Sequence, residues 1–295
     1  MHIYILTAGK PKTGLKPSGL KIMPNGHSVL NWQMNVFKNI FPSANITVIT
    51  GYKFRELLKE FPNIEFVIDP QWEKTKPLNT LEKFSKIDDE VLITYGDTIF
   101  NENIIEKFSK IKSDITIGID TFWKERFNQR SINDINIAET FKINGKTTAE
   151  YTGLIKFNNY SYKKIKKLIS EYNISSFITL IEKIVLSNFT VNFFDVKGSW
   201  AELNEPNDLA QFILGTKADT LKNLKNQLRL SFIEQPLILL YQNWSESNIN
   251  LIKVIQKQFK GKKIIIRSSS FEEDSWTSSS AGEFDSFLNV DINDT

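Results

Sequence analysis

Short apolar runs alternate with helical patterns through the first hundred residues. The runs His2–Leu6 and Ile46–Thr50 are rich in β-branched and aromatic residues, and they predict buried strands. Between them, apolar residues recur at helical spacing over Val29–Ile40. This alternation predicts a Rossmann-like α/β fold, with a mixed, mostly parallel sheet flanked by helices. Further strands are predicted at 64–68, 91–95, 115–120, 152–157 and 191–196, and further helices at 54–61, 77–84, 160–172 and 176–187.

The strand that begins at Val91 ends in an acidic turn. Gly96 allows the backbone to turn there, and Asp97 follows it. Ligands bind at the carboxyl ends of strands in open α/β sheets, so we expect Asp97 at the ligand-binding edge. A carboxylate in that place can hold a divalent metal ion. The alternative is a turn aspartate that bonds only to its own backbone.

The pattern restarts near residue 215. Helices are predicted at 217–230 and 249–259 and a strand at 263–266, and a serine-rich loop follows. We therefore expect two domains, residues 1–214 and residues 215–295. The second is predicted to be a small α/β appendage to the first.

Composition excludes several kinds of chemistry. The absence of cysteine excludes disulfides and thiolate catalysis, and the presence of only His2 and His27 excludes a histidine-rich metal site. The net charge is +3, with lysines scattered along the chain, so a nucleic acid is not an expected partner. The sequence shows neither a signal-peptide pattern nor an apolar run of membrane-spanning length. We expect a cytoplasmic protein with no membrane partner.

The first predicted strand opens into a turn of small residues. Small residues let a nucleotide approach the backbone, whose N–H groups can bind phosphate. Lys12, Lys16 and Lys21 follow, and a lysine in such a loop can neutralise charge that develops on a triphosphate. A solvated lysine-rich loop is the alternative. The turn has the sequence Leu6-Thr7-Ala8-Gly9-Lys10.

Five segments, in their order and spacing, resemble the nucleotidyltransferases that act on sugar phosphates and choline phosphate. The resemblance covers residues 1–214 and implies the nucleotidyltransferase fold. It also implies a reaction in which a phosphate oxygen of an acceptor attacks the α-phosphorus of a nucleoside triphosphate, and pyrophosphate leaves. The segments are 5–21, Val48–Tyr52, Leu78–Leu81 with Tyr95–Phe100, Ala149–Gly153, and Trp200–Leu209.

The same resemblance assigns roles to individual residues. It implies Mg²⁺ held by Asp97 and Glu202, with Asn204 as a further ligand where many relatives have an aspartate. Lys21 matches the catalytic lysine, and Asp97 is the other catalytic residue. The arginine usual in the opening loop is missing near Gly14, so Lys12 or Lys16 would replace it. Nucleotide contacts are implied for Leu6, Thr7, Ala8, Gly9, Lys10, Gly51, Asn79 and Thr80, and acceptor contacts for Glu150, Thr152 and Gly153.

The substrates follow from the resemblance less directly. CTP is the favoured nucleotide, and the acceptor is a phosphorylated small molecule. One alternative is a sugar-1-phosphate nucleotidyltransferase that uses another triphosphate. The other is a non-catalytic regulatory domain of a larger kinase, which the missing loop arginine and Asn204 favour.

The end of the sequence resembles a different enzyme. Arg267 enters a serine-rich loop, where guanidinium and hydroxyl groups can bind phosphate. The segments around Lys217 and Arg267 resemble the nucleotide-binding start of the ATP-grasp domain of pyruvate phosphate dikinase and phosphoenolpyruvate synthase. This implies that Lys217 and Arg267 bind ATP phosphates. We expect residues 216–295 to be the beginning of such a domain, cut short, with kinase domains following in a longer chain.

A transferase joined to such a kinase resembles the enzymes that make the phosphoramidate decoration of bacterial capsules. In those enzymes, glutamine is phosphorylated and then cytidylylated. The resemblance therefore implies L-glutamine phosphate as the acceptor and CTP as the nucleotide donor.

Overall fold

The computed structural model describes residues 1–23, 26–79, 89–127, 135–136, 138–143, 145–204, 208–209, 212–213, 217–225, 228, 230–234, 236–239, 241–269 and 285–292. The chain divides into two compact units, Met1–Leu209 and Ala210–Thr295. Thr80, most of the helix predicted at 77–84 and the centre of the serine-rich loop lie outside the described residues. No helix in the described ranges is long and apolar enough to cross a membrane.

The first unit contains ten strands, six α-helices and one short 3₁₀ helix (Ser18–Leu20) whose bounds lie among its described residues. The strands are β1 (His2–Thr7), β2 (Asn45–Thr50), β3 (Glu65–Ile68), β4 (Val91–Tyr95), β5 (Thr98–Phe100), β6 (Ile115–Asp120), β7 (Thr140–Ile143), β8 (Thr147–Phe157), β9 (Val191–Asp195) and β10 (Trp200–Glu202). The helices are α1 (Val29–Ile40), α2 (Phe54–Glu60), α3 (Glu102–Ser109), α4 (Trp123–Arg126), α5 (Asn159–Tyr172) and α6 (Phe177–Val185).

The central sheet has the strand order β3-β2-β1-β4-β8-β6-β9, with β7 paired to β8. Strands β3, β2, β1 and β4 are parallel to one another, and β6 is parallel to β9. Among the described strands of this sheet, β8 alone runs in the opposite direction. The predicted mixed, mostly parallel α/β sheet is confirmed. Strand β8 begins five residues before its predicted start, because its amino-terminal half pairs with β7 in a hairpin.

Helices cover both faces of this sheet. On β1, Tyr4 and Leu6 pack in one apolar cluster with α5 and α6, while Ile3 and Ile5 pack in another with α1, α2 and α3. This alternation explains why the first strand is apolar at every position from Ile3 to Leu6, since both of its faces are buried.

The parallel strands place three loops at one edge of the sheet. Thr7 pairs with Thr50 at the ends of β1 and β2, and Leu6 pairs with Tyr95 at the end of β4. The backbone N–H of Tyr52 donates to the carbonyl of Ala8 at 2.8 Å. The small-residue loop, Gly51 and the turn after β4 therefore lie side by side.

The second unit contains helices α7 (Lys217–Leu224) and α8 (Tyr241–Gln258) and the antiparallel strands β11 (Lys263–Arg267) and β12 (Ser286–Asp291). Helix α7 ends earlier than predicted, and the apolar residues that suggested its extension, Leu228 and Leu230, are exposed. Helix α8 begins eight residues earlier than predicted, because its polar first turns carry no apolar periodicity.

Two glycines at the sheet edge give a matched test of packing. A Cβ at Gly51 would lie 2.3 Å from the Cβ of Trp72, whereas a Cβ at Gly9 meets no atom within 4 Å. We expect Gly51→Ala to lower the free energy of unfolding by about 1–3 kcal/mol, because the backbone must shift. Gly9→Ala should leave it within about 0.5 kcal/mol of the original. Urea unfolding measures both, and equal effects would contradict this packing.

Candidate active site

The turn that carries Asp97 depends on a close backbone contact. Strand β4 ends at Tyr95 and β5 begins at Thr98. The N–H of Gly96 donates to the carbonyl of Leu6 at 2.7 Å, and a Cβ at Gly96 would lie 2.5 Å from that of Thr7. Glycine therefore lets the chain turn against β1 and present Asp97 at the ligand edge, as the sequence predicts.

Strand pairing brings a second carboxylate to Asp97. Strand β10 pairs antiparallel with β5, so Glu202 lies opposite Thr98. The N–H of Leu203 donates to the carbonyl of Asp97 at 2.8 Å. Burial, and after it the charge of Glu202, raises the pKa of Asp97 to about 6. The two acidic side chains are thus close enough to repel each other.

Strand β10 is anchored by its tryptophan. The indole Nε1–H of Trp200 donates to Oδ2 of buried Asp120 at 2.8 Å, and its ring stacks on Phe100 at 6.3 Å between centroids. Asp120 also accepts from the N–H groups of Phe122 and Gly198. This anchor fixes the strand that presents Glu202. The sequence showed Asp120 only as the end of a strand.

The opening loop is tied to the same segment. Lys21 Nζ donates to the carbonyl of Leu203, and the hydroxyl of Thr13 donates to the carbonyl of Asn204. The charge of Lys21, and that of exposed Lys12, oppose the rise in the pKa of Asp97. Replacement of the missing loop arginine by Lys12 or Lys16 stays a prediction. Lys16 is also exposed, farther along the loop.

Asn204 is buried at this junction. Its N–H donates to Oδ2 of Asp208 at 2.8 Å. Its side-chain amide nitrogen makes no hydrogen bond within the described residues. Its assignment as a metal ligand stays a prediction.

A third acidic residue, which the sequence did not reveal, lies close to this pair. The hydroxyl of Tyr95 donates to Oε2 of Glu139 at 2.9 Å. Burial raises the pKa of Glu139 to about 7, and the charges of Glu202 and Asp97 add to the rise. The charge of Lys12 acts in the opposite direction. A glutamate just before a short hairpin strand has no distinctive sequence signal.

The predicted nucleotide-binding residues fall into three groups. Leu6 and Thr7 are buried in β1, while Ala8, Gly9 and Lys10 form an accessible loop beside buried Gly51. Asn79 donates through its side chain to the carbonyl of Ile174 at 3.4 Å. Thr80 lies outside the described residues. The loop at 8–10 is thus the part of the predicted set that a ligand at this edge can reach.

The predicted acceptor residues lie in β8 and are buried. Glu150 pairs opposite Asp120 and Thr140 on the two flanking strands. Thr152 is fully buried, and a Cβ at Gly153 would meet the ring of Tyr95 at 2.6 Å. Their contact with an acceptor stays a prediction.

The residues predicted to bind ATP belong to the second unit. Arg267 is exposed at the end of β11, opposite Ser286 of β12. Lys217 begins α7, and its side chain lies outside the described part of the structure.

The chemistry of the carboxylates fits magnesium. Within the described ranges, no three His, Asp or Glu side chains are grouped closely enough to enclose a metal ion. Mg²⁺ is usually held by one or two carboxylates together with substrate phosphates, so a closed protein cage is not required. Asp97 and Glu202 supply two oxygen-bearing groups whose mutual repulsion a divalent cation would relieve.

No protein-family model matches the sequence, and no curated protein matches it. Solved structures with similar folds include the following two enzymes. One is the inositol-1-phosphate CTP transferase from T. maritima, with a TM-score of 0.52 and 17% identity, covering 72% of this chain and 96% of that one. The other is the CTP:phosphocholine cytidylyltransferase from Streptococcus pneumoniae, with a TM-score of 0.50 and 14% identity, covering 71% of this chain and 96% of that one. At these identities the similarity shows the fold: the chain has the α/β fold of the nucleotidyltransferases.

Proposed function

We propose that this protein is a Mg²⁺-dependent nucleotidyltransferase. It transfers a nucleoside monophosphate from a nucleoside triphosphate to a phosphorylated small molecule and releases pyrophosphate. The observation that carries the proposal is the pair Asp97 and Glu202 beside Lys21, at the sheet edge where the loop at 8–10 is open. A fold shared with two cytidylyltransferases supports the same conclusion.

Backbone and side-chain groups at the site have different roles in the proposed reaction. Backbone N–H groups of the loop at 8–10 bind the triphosphate, since small residues there leave the backbone accessible. Lys21, fixed by its bond to the carbonyl of Leu203, stabilises the charge that develops when pyrophosphate leaves. Mg²⁺ bound by Asp97 and Glu202 would neutralise phosphate charge and orient the triphosphate. No covalent enzyme intermediate is needed, because positioning and charge neutralisation carry the rate.

CTP and L-glutamine phosphate are our proposed substrates. Two of the structurally similar enzymes, the inositol-1-phosphate CTP transferase and the CTP:phosphocholine cytidylyltransferase, are named for CTP, which supports CTP as the nucleotide. We propose that the acceptor carries an ammonium group, which the carboxyl group of Glu139 would bind. This carboxyl group is held by Tyr95 and lies near Asp97 and Glu202. A cation that binds there would favour its ionised form.

We also propose that the second unit belongs to an ATP-grasp kinase module that makes the phosphorylated acceptor. The exposed guanidinium of Arg267, opposite Ser286, supports phosphate binding by this unit. An azido-ATP analogue should label this unit, and Arg267→Ala should reduce the labelling. Equal labelling of the original protein and the Arg267→Ala variant would contradict the role of Arg267.

A pyrophosphate-release assay tests the transferase proposal. The four common triphosphates are each combined with glutamine phosphate, phosphocholine and glucose 1-phosphate in Mg²⁺. We expect release with CTP and glutamine phosphate, and none when the acceptor is omitted. Preference for glucose 1-phosphate with another triphosphate would indicate a sugar-phosphate enzyme. Absence of release from every pair would contradict the proposed function.

Replacement of Asp97 tests the metal assignment. Asp97→Asn keeps the shape of the side chain but removes a negative charge, so we expect kcat/KM to fall roughly 10³-fold. Glu106→Gln removes an exposed carboxylate that pairs with Lys110, and it is expected to have no effect. Steady-state kinetics at saturating Mg²⁺ measure both. Near-normal turnover by Asp97→Asn would contradict the assignment.

Replacement of Lys21 tests transition-state stabilisation. Lys21→Ala should lower kcat by roughly 10²- to 10³-fold and change the KM for CTP much less, because the cation acts on developing charge. Lys38→Ala is the matched control, since it removes an exposed lysine from the last turn of α1, to which no role in the reaction is assigned. A change confined to KM would make Lys21 a binding residue.

The repulsion between Asp97 and Glu202 can be tested by the pH at which Asp97 ionises. In the metal-free protein, Asp97 should ionise as the pH rises through about 6, above the usual range for aspartate. Glu202→Gln removes the neighbouring charge, so Asp97 should then ionise at lower pH. The ¹³C shift of the Asp97 carboxyl, assigned with Asp97→Asn, reports the midpoint. An unchanged midpoint in Glu202→Gln would show that the two charges do not interact.

A further inference from the structure

A glutamine on α1 holds both ends of the turn that presents Asp97. Gln33 is buried, with 3% of its surface exposed. Its side-chain Nε2 donates to the carbonyl of Tyr95 at 2.7 Å and to that of Thr98 at 2.5 Å. These carbonyls belong to the last residue of β4 and the first of β5. Gly96 and Asp97 lie between them.

The buried carbonyls of this turn require hydrogen-bond donors from outside the neighbouring strands. The path from β4 to β5 leaves the main sheet at Gly96, so its carbonyls cannot all be paired by neighbouring strands. A buried carbonyl without a partner is costly. The primary amide of Gln33 has two N–H donors, one for each carbonyl, and the carbonyl of Tyr95 also accepts from the hydroxyl of Thr94 at a longer distance of 3.5 Å. One planar group therefore also fixes the separation of the two ends of the turn.

The orientation of the amide follows from its surroundings. Both partners are acceptors, so the NH₂ group must face them. The oxygen Oε1 is buried and makes no hydrogen bond within the described residues. Donation to the turn is therefore the polar interaction that this amide makes within the described residues, and a side chain of similar shape without donors would remove the bonds that join the two ends of the turn.

We propose that Gln33 is a positioning residue that sets the Asp97 carboxylate beside Glu202 for metal binding. The proposal rests on the proposed function, since it assigns a metal to that pair. Gln33 acts through the backbone of residues 95–98. Helix α1 packs against β5 and the cluster around Phe100, so its position is set by the core and is transmitted to the turn.

The test compares two variants of neighbouring residues on α1. Gln33→Met keeps the length of the side chain and removes both donors. Met34→Ala removes apolar contacts from the same helix and makes no change at the turn. The readouts are the affinity for Mn²⁺, measured by electron paramagnetic resonance without nucleotide, and urea unfolding. Gln33→Leu is used if the methionine variant does not fold.

We expect Gln33→Met to weaken Mn²⁺ binding roughly 10- to 100-fold, as for other residues that orient metal ligands. Met34→Ala should destabilise the fold and leave Mn²⁺ affinity unchanged. Where activity is present, Gln33→Met should also raise the Mg²⁺ concentration for half-maximal rate.

A loss of stability in Gln33→Met with unchanged Mn²⁺ affinity would overturn the proposal and leave Gln33 a structural residue. Asp97→Asn separates this failure from that of the metal site. If Asp97→Asn weakens Mn²⁺ binding and Gln33→Met does not, the positioning proposal alone fails. If Asp97→Asn binds Mn²⁺ as well as the original protein does, or if the original protein binds no Mn²⁺ even when a non-hydrolysable CTP analogue is present, the metal assignment in the proposed function fails as well.

Discussion

The antiparallel pairing of β5 with β10 forces the carboxyl groups of Asp97 and Glu202 into one small region at the edge of the sheet. Burial is the main cause of the raised pKa of Asp97, and the charge of Glu202 raises it further, so the repulsion between the two carboxylates is unfavourable in the absence of a cation. Contacts in the surrounding fold hold the two carboxylates together despite their repulsion. Trp200 is bonded to Asp120 behind β10, and the turn before β5 is packed against Thr7. Because the fold keeps two like-charged carboxylates close together, the site is suited to a divalent cation.

The site is assembled from segments that are far apart in the chain. Lys21 and Thr13 of the opening loop bond to the carbonyls of Leu203 and Asn204, nearly two hundred residues later. These bonds bring the cation of the loop to the acidic pair. The contacts between the opening loop and the segment at 200–204 are therefore part of the site.

Much of the fold and part of the site could be predicted from sequence. The apolar strands are recognisable because both sheet faces are buried, and Asp97 is recognisable because glycine and a carboxylate follow such a strand. Lys21 and Glu202 were identified through their resemblance to known segments. Gln33 and Glu139 could not be identified in this way, because each acts through a contact made only in the folded chain. Burial of Glu150 and Thr152 likewise depends on the pairing of β8 with both neighbours.

Crystals grown with Mn²⁺ and a non-hydrolysable CTP analogue would test the central claim most directly. Mn²⁺ gives an anomalous signal that locates it independently of the protein. We predict one ion in contact with the carboxylates of Asp97 and Glu202 and with the α-phosphate of the analogue, which lies along the loop at 8–10. A nucleotide bound elsewhere, or an ion that touches neither carboxylate, would contradict the account.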